Sequence, residues 1–158
     1  MYIIRSSGAF TRVSDANVLM TEKAKPENII WLSGGAISAA ANTQLKGTML
    51  AGGAGDGALS LGAGTNLKGR MLTKSGALSL GANVIISVPT GIASVNLGAL
   101  SKLVMWSSAG AVSDVVTSTI TGDVGTALGA LTISGIHTGI KYPAGTTSTR
   151  MMTTATYS

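Results

Sequence analysis

A four-residue phrase of glycine, alanine, a large apolar residue and serine returns along the chain, and it constrains the fold more than any other feature. It reads Gly35-Ala36-Ile37-Ser38, Gly57-Ala58-Leu59-Ser60, Gly76-Ala77-Leu78-Ser79 and Gly110-Ala111-Val112-Ser113, with a looser copy at Gly8-Ala9-Phe10-Thr11. Two longer blocks also match each other, Leu45-Lys46-Gly47-Thr48-Met49-Leu50 and Leu67-Lys68-Gly69-Arg70-Met71-Leu72. Self-similarity at a spacing of about 20 residues marks a chain wound on itself, each turn burying what its neighbour leaves exposed. The phrase starts lie 27, 22, 19 and 34 residues apart, so the turns differ in length and outer loops absorb the difference. The expectation is an all-β solenoid with uneven turns.

Alternation within the phrases assigns the faces. In Ala58-Leu59-Ser60-Leu61-Gly62 and Ala77-Leu78-Ser79-Leu80-Gly81 apolar and small residues alternate with a period of two, the pattern of a half-buried strand. Leu59, Leu61, Leu78 and Leu80 then point inward, while Ala58, Ser60, Gly62, Ala77, Ser79 and Gly81 point out, and Ala36, Ser38 and Ala40 continue that outward row. Leu45, Met49, Leu50, Leu67, Met71 and Leu72 read as a second inward set. Lys46, Lys68 and Arg70 read as a charged face, and Gly47 and Gly69 as corners. Residues 28–32 and 102–107 read as buried strands that place Trp31 and Trp106 as equivalent plugs at coil ends. No window shows a convincing helical period; the best candidate, residues 14–25, is weak. The solenoid is assigned to residues 1–146, and the Thr-rich residues 147–158 to an extended strand or arm that pairs with a neighbouring subunit.

Composition narrows the chemistry. Of 158 residues only 11% are charged and 4% aromatic, and 22 are glycine, which suits thin stacked strands with small side chains. With no cysteine there are no disulfides and no thiolate zinc ligands. The formal charge of +5 is scattered rather than clustered with aromatics, so nucleic acid is not expected as a partner. No run of 18 apolar residues appears, so no membrane-spanning helix is expected. The one histidine, His137, lies in a strand-like context. The carboxylates Asp15, Glu22, Glu27, Asp56, Asp114 and Asp123 form no spaced pair suited to acid–base work. Residues 52–57 are glycine-rich but lack the Lys-Ser/Thr of a phosphate loop and read as a long corner. No enzymatic activity, metal or cofactor is expected.

Several blocks together resemble the microbial ice-binding-like β-solenoid family. They are Asn28-Ile29-Ile30-Trp31 with Gly35-Ala36-Ile37-Ser38, the two Leu-Lys-Gly blocks, Gly76-Ala77-Leu78, and the stretch Ser118-Thr119-Ile120-Thr121-Gly122-Asp123-Val124-Gly125-Thr126. The resemblance implies an irregular, right-handed, parallel β-solenoid (β-helix) of roughly triangular section. It also implies a flat face of Thr, Ser and Ala that adsorbs to ice, and a long helix packed along the solenoid. Two features depart from the family pattern. The Thr-Gly-Asp-Val-Gly block follows the Leu-Lys-Gly blocks instead of preceding them, and the helix has no counterpart.

Two roles are expected from these readings. The first is a structural building block of an extracellular fibre, filament or adhesin. It would join head to tail with copies of itself, or with adjoining modules of the same type, through the candidate strands Tyr2, Ile3, Ile4, Met151, Met152, Thr153 and Thr154. The second is ice binding by a face made of Ala36, Ser38, Ala40, Ala58, Ser60, Gly62, Ala77, Ser79 and Gly81, or by Thr117, Thr119 and Thr121. A third reading places carbohydrate on an exposed Trp31 or Trp106. All of these roles place the chain outside the cell or on its surface.

Overall fold

The computed structural model describes residues 1–21, 23–52, 57–91 and 98–145. Every strand pairing in it is parallel, and the chain visits three faces in turn, A, then B, then C. Face A stacks seven strands or strand halves in the order β1 (Tyr2–Ser6), β3 (Ile29–Ser33), β5 (Gln44–Ala51), β7 (Asn66–Thr73), β10 (Leu103–Ser107), β13 (Asp123–Thr126) and β16 (Lys141–Tyr142). Face B is the six-stranded sheet β2 (Phe10–Arg12), β4 (Ile37–Ala39), β6 (Leu59–Leu61), β8 (Leu78–Leu80), β11 (Val112–Ser113) and β14 (Leu131–Thr132). On face C the first halves of β5 and β7 are followed by β9 (Ile85–Ser87), β12 (Thr119–Thr121) and β15 (Ile136–Thr138), and Asn17 opens the row by bridging Gln44. The molecule is the parallel β-solenoid that the repeat foretold.

Strands β5 and β7 each turn the corner from face C to face A. Gly47 takes φ +104° there, and a Cβ on Gly69 would run into the Gly47 carbonyl. The corner from face B to face C uses the left-handed conformation at Asp15 (φ 60°), Asn42 (φ 58°), Gly64 (φ 71°) and Asn83 (φ 57°), residues whose short polar side chains or missing Cβ tolerate it. Two excursions account for the long gaps between phrases. One runs through the 3-10 turn Pro26–Asn28, and the other leaves after β9 and returns through the 3-10 turn Gly98–Lys102.

The core runs along the axis. Leu59, Leu61, Leu78, Leu80, Met49 and Met71 are buried in it with Leu45, Leu67, Ile86, Met105 and Ile120. Three of the sequence expectations need correction. Leu50 and Leu72 turn outward on face A: Leu50 is 39% exposed, and Leu72 packs with Leu100 against Trp106. Arg70 also lies on face A, yet it is 4% exposed, because its Nη2 donates to the Ser101 carbonyl (2.8 Å) in the second excursion. The tryptophans are not equivalent. Trp31 pairs with Met49 and points inward against Phe10, while Trp106 pairs with Leu72 and points outward under Leu100 and Tyr142.

Among the described residues there is no α-helix, and those of residues 14–25 are not helical. The outward apolar row of face A is covered at its Trp106 end by the second excursion.

Candidate functional site

Face B carries the candidate site. Its register runs Thr11↔Ser38, Ser38↔Ser60, Ser60↔Ser79, Ser79↔Ser113 and Ser113↔Thr132, giving one unbroken outward column of six hydroxyls. Parallel strands place these about 4.8 Å apart. Beside them runs a column of alanines. The carbonyls of Ala36, Ala58, Ala77, Ala111 and Ala130 accept from the N–H groups of Phe10, Ile37, Leu59, Leu78 and Val112 (2.8–2.9 Å), so the Ala column is held by one continuous ladder. Ala40, Gly62 and Gly81 flank the hydroxyls on the other side, in the middle of the stack. The result is a flat surface with no side chain larger than alanine beside the three central hydroxyls.

The glycine that opens the later phrases is required by a close approach. A Cβ on Gly76 would meet the Gly57 backbone, one on Gly110 the Gly76 carbonyl, and one on Gly129 the Gly110 carbonyl. Each of these glycines is also stitched to its neighbour by a corner hydroxyl. Ser33 Oγ donates to Gly8 O (2.7 Å), Thr73 Oγ1 to Gly57 O (2.6 Å), Ser107 Oγ to Gly76 O (2.8 Å) and Thr126 Oγ1 to Gly110 O (2.8 Å). The same oxygens accept from the N–H groups of Gly35, Gly76, Gly110 and Gly129. Face B is thereby fixed on its face-A side by side chains as well as by its own ladder, except between the Gly35 and Gly57 coils, where Ala51 stands in the hydroxyl's place.

The sequence-predicted face residues fall into two groups. Ala36, Ser38, Ala40, Ala58, Ser60, Gly62, Ala77, Ser79 and Gly81 share face B. Thr117, Thr119 and Thr121 do not join them. Thr119 and Thr121 lie on face C, paired with Ile85 and Ser87 on one side and Ile136 and Thr138 on the other. Thr117 sits at the corner, where its Oγ1 accepts from the Asn83 N–H (3.0 Å). Sequence reasoning left Thr11, Ser113 and Thr132 off the face, although the first two close copies of the phrase. It missed Gly129-Ala130-Leu131-Thr132 altogether, and that copy follows its predecessor by 19 residues, a spacing already present in the chain.

Several titratable groups elsewhere are occupied by backbone. Asp114, buried at the inner end of β11, accepts from Ser134 N (2.6 Å) and Gly135 N (3.0 Å) and from the Ser118 hydroxyl. Asp123 accepts from Ile140 N (2.9 Å) and from Tyr142. His137 Nε2 lies 2.9 Å from Gly122 O and donates to it. Burial holds Arg70 below the usual arginine range, and the Glu27 carboxylate counters part of that. Among the described residues no group of three or more metal-ligating side chains converges, and no helix is long and apolar enough to cross a membrane. Trp106 is buried and Trp31 turns its ring inward, so neither offers an outward platform for a sugar. Tyr2, Ile3 and Ile4 lie exposed on β1 at one end of face A, while Met151, Met152, Thr153 and Thr154 lie outside the described residues.

No curated protein and no solved structure matches the chain. The sequence model of the ice-binding-like family matches residues 1–86, from the first strand of face A to the β9 strand of face C. On faces B and C the rungs beyond Ile86 keep the registers of those before it, and on face A the stack continues with one register shift between Leu103 and Met105, so the architecture runs past the matched span. With more than half of its length matched and the solenoid in place, the chain belongs to the ice-binding-like family.

Proposed function

We propose that the chain is a non-enzymatic module that adsorbs to ice through face B. The observation that carries this reading is the six-rung hydroxyl column flanked by small residues. A rung spacing of about 4.8 Å is close to the oxygen repeat of hexagonal ice, so successive hydroxyls hold water at positions a growing lattice accepts. The alanine column supplies apolar surface that does not compete for those waters. The two lines of hydrogen bonding that fix face B make the array preorganised, so little ordering entropy opposes adsorption. Thermal hysteresis and recrystallisation assays test the reading. The chain should shape and slow ice growth, and Ser60→Tyr, placing a ring in the centre of the face, should abolish the effect without unfolding the protein. Ice growth unaffected by the unaltered chain overturns it.

A second reading has the ends of the solenoid joining another copy, or an adjoining module of the same type, in an extracellular fibre or adhesin. Its support is the concentration of exposed large apolar side chains at the two ends of the stack: Tyr2, Ile3, Ile4 and Val13 at one, and Leu128, Ile136 and Ile140 at the other. Strand edges beside such residues favour addition of a further strand.

A further inference from the structure

We propose that the edge between faces C and A binds an acidic polysaccharide, a sugar chain bearing carboxylate or sulfate groups. Lys46 and Lys68 occupy directly paired positions on β5 and β7, both outward on face C. Like charges opposite one another on adjacent strands repel. Among the described residues, the carboxylates able to relieve them are engaged elsewhere. Asp114 and Asp123 are buried under backbone N–H groups, Glu27 lies beside Arg70, and Asp15 sits at the far corner of face C.

Further exposed cations follow the same edge. Lys23 and Lys25 lie between Asn17 on face C and β3 on face A, and Lys102 directly precedes β10, with its carbonyl against the corner Gly122. The edge therefore carries positive charge along several rungs. Next to the lysines, Asn17, Gln44 and Asn66 form an exposed, in-register column of amides. Each amide offers donors and an acceptor, the pairing that sugar hydroxyls and ring oxygens need. A polyanion laid along this edge meets a cation or an amide on the Asn17, Gln44–Lys46 and Asn66–Lys68 rungs, and Ser87 and Thr121 continue the lysine row with hydroxyls. Single-stranded nucleic acid is the weaker fit, because binding it relies on exposed aromatic platforms, and both indoles are turned away.

Titration with an oligouronate, neutral dextran and a short DNA duplex tests this, using the full chain and its Lys46→Gln/Lys68→Gln variant. The oligouronate should bind, dextran should not, and added salt should weaken binding by screening. The variant should keep its circular dichroism spectrum and lose about tenfold in affinity. No oligouronate binding, equal binding by the variant, or tighter binding of the duplex would each overturn the proposal. The edge lies off face B, so none of these outcomes bears on ice adsorption.

Discussion

Ser33, Thr73, Ser107 and Thr126 each serve two partners, donating to the phrase glycine of one coil and accepting from that of the next. Ser107 is fully buried and both of its bonds measure 2.8 Å. Ser107→Ala leaves the Gly76 carbonyl and the Gly110 N–H without that partner. A loss of about 1–3 kcal/mol is expected, read as a lower urea midpoint at unchanged slope. An unchanged midpoint would show the stitch to be dispensable. Tyr142 gives a test by pH. Burial raises its phenol above the usual tyrosine range, and the Asp123 carboxylate adds to the rise by charge and by accepting its hydrogen bond. The folded chain holds that proton more tightly than the unfolded chain. Its contribution is full below the unfolded tyrosine value of about 10 and is lost as pH climbs through the folded value. Tyr142→Phe should therefore flatten the alkaline limb of the stability–pH profile, and an equally steep limb counts against the bond.

At the scale of the element, each short strand of face B contributes one or two large inward side chains, so each is sensitive to truncation. Leu78 is fully buried at the centre of the sheet, and Leu78→Ala should cost about 2–5 kcal/mol in chemical denaturation. A cost under half that range would mean the coil collapses around the gap. These strands were legible in the sequence because Ala58-Leu59-Ser60-Leu61 and its relatives alternate strictly, and a period of two fixes which side chains face out. The phase of the tryptophans was not. Trp31 and Trp106 each stand four residues before a phrase glycine, yet the corner hydroxyl lies two residues before Gly35 in one coil and three before Gly110 in the other. One extra corner residue turns the side chain to the opposite side of the sheet. The burial of Arg70 was hidden for another reason: its cover, Ser101, comes from 31 residues further along.

For the whole molecule, the question is whether one solenoid continues into another. Light scattering should report a mass that grows with concentration if the ends join, and removal of residues 147–158 should return it to that of a monomer. A constant monomeric mass across concentration ends the fibre reading and leaves ice adsorption standing. The hydroxyl column belongs at this scale too, since no single coil makes a surface. Thr119 and Thr121 resemble face residues in the sequence, and only the order in which coils visit the three sides sends them elsewhere. That order depends on loop length, which local pattern does not encode.

The interstrand hydrogen bonds of all three sides run along the axis of the stack. Tension applied between the first and last rungs therefore loads them a few at a time, and the molecule should peel turn by turn under modest force, as a zipper opens. Drag applied sideways, as by a crystal advancing against face B, is instead shared by every rung at once.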